Sequence, residues 1–397
     1  MNPRYLFPLL LSLLLLACNA GAQTRWPTQN WPMTTPSEVG LDARALAAFD
    51  SDISEGKYGY IDSMLVIRHG KIAYERYYGH EYEKIYHEEA RTPGPLVVGS
   101  LTGPYNYFNP WWHPYYQDSM LHTMQSVTKS VTSLVVGIAV GRNEFPDLDT
   151  PVLDFFAPES VANVDDRKRR MTIRHLLTMT TGLDWNEDLP YTDPDNTWTA
   201  LQETDNWVQF TIDRPMNGEP GKTFQYNSGA TLILGEIFQQ ATGVDLEEYA
   251  VDNLFRPLGI DDYFWKRTPR GLVDTQEGLY ISTRDIARIA YLVLERGRWD
   301  GKQVVPEEWV RDSIAPFVPV TDDRSWEYGY KWWLIHYQYE GEDQLAILGL
   351  GFGDQIPIVL PEFDMVAVFT GWNTLPDRPE LDVDEAIQRI VSSLKAP

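Results

Sequence analysis

A serine stands directly ahead of an unbroken apolar run, and this arrangement constrains the fold more than any other feature of the chain. Ser126-Val127-Thr128-Lys129 leads into Val131 to Val140, where Leu134-Val135-Val136-Gly137-Ile138-Ala139-Val140 is apolar on nearly every side. A helix that is apolar all round has to lie inside a domain, so other elements must wrap around it. The serine then falls at the helix N-terminus, where unpaired amides and the macrodipole favour developing negative charge. Lys129 follows one turn later on the same face. A serine hydroxyl is a weak nucleophile near neutral pH, and a desolvated amine within reach can take its proton. The same pattern recurs at Ser54-Glu55-Gly56-Lys57 and Ser392-Ser393-Leu394-Lys395. The first runs into Tyr58-Gly59-Tyr60 and the second ends the chain, so neither opens a buried helix. Ser126 and Lys129 are the candidate nucleophile and base.

At 397 residues and 43% hydrophobic content the chain can bury a large core, as several domains or as one enzyme domain with an insertion. Residues 41–49 read as a short helix. Residues 63–67 and 71–78 read as strands joined by the turn His69-Gly70. Residues 81–119 form a long Gly, Pro and aromatic segment, expected to be an ordered wall beside a site. Residues from about 141 to 275 read as mainly helical. Residues 281–296 form a strong helix opened by Ser282-Thr283 and stopped at Gly297. Strand-like runs return at 330–337, 345–349, 355–360 and 365–370, and residues 384–394 close the chain as a helix. This order predicts an α+β fold: an antiparallel sheet built from both ends of the chain, flanked by helices, with a helical subdomain at about 141–275. Ser126 would lie at the seam, where ligand clefts commonly form.

The net charge of -24 argues against nucleic acid or an anionic membrane surface as partner. Residues 1–22 read as an export signal, with Arg4 before the apolar stretch Leu9 to Leu16 and small residues after it. The stretch is too short for a retained membrane helix. Ala20-Gly21-Ala22 fits cleavage before Gln23. Leu15-Leu16-Ala17-Cys18 fits a bacterial lipobox, with Cys18, the one cysteine, as lipidation candidate. The mature domain is then 23–397, expected in the periplasm or as an outer-membrane lipoprotein, without a disulfide. The seven histidines show no zinc-ligand spacing, so no metal and no cofactor is implied. His175, within Ile173, Leu176 and Leu177, reads as structural.

A second constellation is Tyr226-Asn227-Ser228, introduced by the turn Pro220-Gly221 and followed by the apolar stretch 231–237. A tyrosine ahead of a buried helix can face the same cleft as Ser126, and its phenol can move a proton if the Lys129 ammonium lowers its pKa. With this box, the stretches 122–130, 171–183 and 278–288 resemble the serine β-lactamase and penicillin-binding-protein superfamily, and more closely its esterase branch. The resemblance implies a small ester or amide substrate and an acyl-enzyme on Ser126, with Lys129 and Tyr226 moving the proton. Ser228 stands where relatives often carry Asn. Gly349-Leu350-Gly351-Phe352-Gly353 replaces the Lys-Thr-Gly strand box, which argues against strong penicillinase or carboxypeptidase activity. By the same resemblance Gly351 and Phe352 belong to an oxyanion hole, the Phe352 amide pairing with that of Ser126. The loop 184–194 is similar to one in linear nylon-oligomer hydrolases, where a tyrosine reaches over the scissile amide; Tyr191 is the candidate. Two rivals remain open: a D-amino-acid peptidase or β-lactamase acting on cell-wall material, and a catalytically silent envelope binding protein.

Overall fold

A computed structural model describes residues 26–376 and 378–395. The expected export signal, the lipidation candidate Cys18 and the expected cleavage site before Gln23 lie outside the described residues. Strands β1 (Ile61–Arg68) and β2 (Lys71–Tyr77) form the expected hairpin. His69 and Gly70 make its turn with φ of 53° and 69°, the left-handed pair that a two-residue hairpin turn requires. The other strands come from the end of the chain: β3 (Val318–Pro319), β4 (Trp326–Tyr328), β5 (Trp333–Tyr339), β6 (Glu342–Leu348), β7 (Ile356–Leu360) and β8 (Met365–Gly371). The sheet order is β2-β1-β8-β7-β6-β5-β4-β3, and every neighbouring pair is antiparallel. The two ends of the chain join at β1 and β8, with Leu65 opposite Val368 and Ile67 opposite Val366.

Strand alternation divides the apolar side chains between two cores. Met64 and Val66 of β1, with Met365, Ala367 and Phe369 of β8, pack against α1 (Ala43–Ser54) and a C-terminal helix (Val383–Val391). Leu65, Ile67, Val366 and Val368 face the other way, into the larger core. That core holds α2 (Val127–Gly141), α3 (Ser228–Thr242) and α4 (Thr283–Leu294). Both faces being covered explains why these central strands lack polar alternation. Helix α4 starts one residue after Ser282, whose hydroxyl accepts from the Asp285 amide. It ends two residues before Arg296-Gly297, both in the left-handed region.

Helix α2 is buried from Val127 to Ala139. At Gly137 the Trp309 ring lies against the helix backbone, and an added Cβ would stand 2.2 Å from Trp309 Cδ1. Neither the helix nor the indole has room to yield. Gly137→Ala is therefore expected to destabilise the protein by about 2 kcal/mol despite alanine's better helix propensity. The urea-unfolding midpoint measures this.

A small three-stranded sheet was not legible in the sequence. His122–Thr123 pairs with Leu279–Ile281, which pairs with Phe264–Trp265. Two-residue strands are too short to leave a period. This sheet ends three residues before Ser126, and the buried His122 is anchored through Nε2 to Asp62 at 2.9 Å. The aromatic segment 81–119 is ordered: Tyr82, Tyr86, Tyr107 and Phe108 share an apolar cluster with Trp185, Trp198, Trp207 and Trp372.

Candidate active site

Ser126 caps α2 with φ -62° and ψ -13°, directly after Gln125 at φ 47°. The left-handed Gln125 turns the chain abruptly between the small sheet and the helix. In the first helical turn, Lys129 Nζ donates to Ser126 Oγ at 2.8 Å and to the Gln276 carbonyl at 3.0 Å. Lys129 is buried, and Ser126 is half-buried. The spacing that puts serine and lysine on one face thus also puts them in hydrogen-bond contact.

Tyr226 precedes α3, whose N-cap is Asn227; the Asn227 side chain accepts from the Ala230 amide at 2.9 Å. Lys129 Nζ lies 5.1 Å from the centre of the Tyr226 ring, which stacks on Trp333 at 5.7 Å. The Tyr226 ring thus lies beside the amine that contacts Ser126 Oγ. The phenol's pKa is nonetheless raised: burial is the largest influence, and the Lys129 charge with the neighbouring Ser126 only pulls part of the way back. Lys129 does lower this pKa, as proton transfer through the phenol requires, but by less than burial raises it. The aromatic surroundings reverse the net direction, so Tyr226 is a neutral phenol at ordinary pH.

Ser228 opens α3 rather than preceding it. Its amide donates to Glu187 Oε2 at 2.9 Å and its hydroxyl to Glu187 Oε1 at 2.6 Å. Tyr191 donates to the same carboxylate at 3.1 Å, and Trp185 Nε1 at 2.8 Å. Glu187 thus ties the loop bearing Tyr191 to the start of α3. Sequence reasoning passed over it as one acid in an acidic loop. The Tyr191 ring meets Phe352 edge-on at 4.9 Å.

Gly351 packs against the backbone just ahead of Ser126, where a Cβ would stand 2.5 Å from the Met124 carbonyl. Gly351 and Gln355 exchange backbone hydrogen bonds of 2.9 and 3.1 Å. The Gln355 side chain donates to the carbonyls of Phe352, Gly353 and Gly371. The segment is therefore a stapled turn between β6 and β7. Among the described residues, the amides of Ser126 and Phe352 donate to no protein acceptor. Asp354 lies in the same turn, bonded to Asn373, and burial pushes its carboxyl up to about 7. The folded state holds that proton more tightly than the unfolded chain, so stability falls as pH rises from about 4 to about 7. Asp354→Asn is expected to remove this cost. Its stability advantage over the wild type should grow by about 2 kcal/mol between pH 5 and pH 8, read by denaturant titration.

Two more contributors left no sequence signal. Gln276 acts through its backbone, which no side-chain pattern reports. Lys331 falls within a strand-like run, yet β5 begins only at Trp333. Lys331 has φ 66°, is buried, and its Nζ meets the Met179 sulfur at 3.3 Å. Burial holds its pKa well below the usual lysine range; the Lys129 charge adds to that and Glu187 opposes it. His175 accepts from the Thr172 amide at 3.0 Å and caps its own short helix. A wide cleft of about 650 Å³ lined by Phe155, Trp207 and Gln240 lies elsewhere and touches none of Ser126, Lys129 or Tyr226.

A sequence profile of the Beta-lactamase family matches residues 62–387. The chain belongs to the β-lactamase family. Its β-lactamase/transpeptidase-like α+β fold is shared with the solved structure of EstCE1, a hydrolase with promiscuous acyltransferase activity. That likeness has a TM-score of 0.63 at 15% identity and covers 91% of this chain and 99% of that one. In sequence, this β-lactamase-family chain is 25% identical to the 6-aminohexanoate-dimer hydrolase of Paenarthrobacter ureafaciens over 297 residues, 68% of this chain and 73% of that enzyme. It is 29% identical to esterase EstB of Burkholderia gladioli over 243 residues, 57% of this chain and 53% of that enzyme. The protein is a serine hydrolase of the β-lactamase family with esterase and amidase homologues.

Proposed function

We propose that this β-lactamase-family protein is an exported hydrolase of small esters or amides that works through an acyl-enzyme on Ser126. The observation that carries the reading is the 2.8 Å contact from Lys129 Nζ to Ser126 Oγ, with the Tyr226 ring centred 5.1 Å from the same Nζ. Lys129 takes the hydroxyl proton as Ser126 Oγ attacks the carbonyl carbon. The amides of Ser126 and Phe352 receive the oxyanion. Tyr226 gives its proton to the leaving alcohol or amine and is reprotonated from Lys129. The resulting ester on Ser126 is attacked by water, whose proton follows the same route back, and the free acid departs. The ring pairs Tyr191–Phe352 and Tyr226–Trp333 belong to the segments that carry the site residues, which suits short acyl groups or flat apolar ones.

The peptidase and β-lactamase alternative is less favoured. The turn 349–353 offers glycines and Leu350 where a carboxylate-binding lysine would be needed, and Lys331 is buried. Export is supported by Arg4 and the apolar stretch Leu9 to Leu16, with lipidation at Cys18 or cleavage before Gln23 as the processing routes. Mass spectrometry of the mature N-terminus distinguishes them.

The deciding experiment treats one preparation with a fluorophosphonate probe, maps the adduct, and measures turnover of p-nitrophenyl butyrate, a linear amide, a D-Ala-D-Ala peptide and nitrocefin. Labelling on Ser126 with ester or amide turnover is the expected result. No labelling and no turnover would leave the silent-binder reading. Turnover confined to nitrocefin or the D-Ala-D-Ala peptide would transfer the assignment to cell-wall chemistry.

A further inference from the structure

We propose that Asp274 is a positioning residue for the reaction at Ser126: its carboxylate shapes the turn 274–277 so that the Gln276 carbonyl holds the Lys129 amine against the serine hydroxyl. The inference rests on the hydrolase reading and deepens it, adding a residue remote from the cleft.

The turn joins two short strands. The Asp274 amide donates to the Lys266 carbonyl at 2.9 Å, and the Lys266 amide to the Gly278 carbonyl at 2.8 Å. Inside the turn, Asp274 Oδ1 accepts from the amides of Gln276 at 3.2 Å and Glu277 at 3.3 Å. Those two bonds set the peptide planes on either side of Gln276, and with them the direction of its carbonyl. Thr275 fixes the turn against both buried helices. Its hydroxyl donates to Thr231 of α3 at 2.7 Å, and its carbonyl accepts from Thr132 of α2 at 2.9 Å. The Gln276 side chain finds no partner, so the backbone of this residue is what the site uses.

Asp274 is fully buried, and the group that balances it is expensive. Lys266 Nζ is buried without a hydrogen-bond acceptor and lies 4.6 and 4.7 Å over the rings of Tyr105 and Tyr107. Tyr105 donates to Asp274 Oδ2 at 3.2 Å, and Tyr107 donates to Glu277. Burial raises the pKa of Asp274, carries Glu277 up to about 7 and lowers that of Lys266. A buried ionic cluster contributes little net stability, and an apolar replacement would serve the core as well or better. Two residues from the carbonyl that binds Lys129, the Asp274 carboxylate is placed to set geometry at the reacting serine, where a displacement of about 1 Å costs about 100-fold in rate.

The test compares Asp274→Ala with Asp274→Asn, which keeps an Oδ1 acceptor for the two amides and removes the charge. With p-nitrophenyl butyrate, Asp274→Ala is expected to lose about 100-fold in kcat with KM changed by about twofold or less. Asp274→Asn should recover to within about fivefold of wild type. Asp274→Ala/Lys266→Met removes both charges and serves if the single variant does not fold. A folded alanine variant with wild-type kcat, or an asparagine variant as impaired as the alanine one, would overturn the proposal. Crystal structures of both variants give a readout independent of activity. The Lys129 Nζ to Ser126 Oγ contact should be lost in the alanine variant and kept in the asparagine variant. Its persistence in the alanine variant overturns the proposal even if the wild type hydrolyses no ester, an outcome that would count separately against the hydrolase reading.

Discussion

Ser126→Ala is expected to lower kcat for p-nitrophenyl butyrate by about 10⁴-fold or more and to abolish fluorophosphonate labelling. Lys129→Met should come close to the same loss. The double variant should be no worse than the poorer single one. The reason lies in the one contact the two residues share, 2.8 Å from Nζ to Oγ. Without the amine, the hydroxyl has lost its proton acceptor and is a poor nucleophile. Without the hydroxyl, the amine has nothing to activate. Groups that act as a unit give non-additive losses, whereas independent contributions would multiply. Multiplicative losses in the double variant would separate the roles of Ser126 and Lys129 and remove the basis for the mechanism. Methionine at 129 keeps the volume of the lysine stem inside α2, so loss of fold does not confound the result.

What could be read in advance was local. Ser126 and Lys129 share one helical turn, and the apolar run behind them announces a buried helix. The β1–β2 hairpin carries its own turn residues, and α4 carries both its cap and its stop. Strands β5 to β8 were legible as apolar runs, with ends misplaced by up to three residues at Trp333 and Glu342, where aromatic and acidic residues blur the boundary; the short edge strands β3 and β4 were not read. What could not be read was long-range. Glu187 gains its place by meeting Ser228, Tyr191 and Trp185 across a fold that the acidic loop does not foreshadow. Gln276 contributes a carbonyl, which every residue has. Lys331 is a lysine buried at φ 66° against a thioether, contrary to both its polarity and its backbone preference. The net direction of the Tyr226 shift was hidden for a related reason: the sequence names the cation that lowers the pKa and does not report how dry the pocket is.

That direction has a consequence of its own. Tyr226→Phe is expected to lower kcat by about 10²- to 10³-fold while leaving KM within about threefold. The phenylalanine ring keeps the stack on Trp333 at 5.7 Å and the face presented to Lys129, so binding and packing persist. Only the hydroxyl, and with it the transferable proton, is removed. Because burial raises the phenol's pKa, Tyr226 keeps that proton at ordinary pH and can donate it to the departing oxygen or nitrogen. The loss should therefore grow with the basicity of the leaving group. It should be smallest for p-nitrophenyl esters, which leave readily as the anion, and largest for alkyl esters and amides, whose leaving groups need protonation. A Tyr226→Phe variant with equal losses on p-nitrophenyl butyrate and ethyl butyrate would show that the phenol is not the donor to the leaving group. Tyr226 would then serve only to orient Lys129, and the proton would have to reach the leaving group from Lys129 itself.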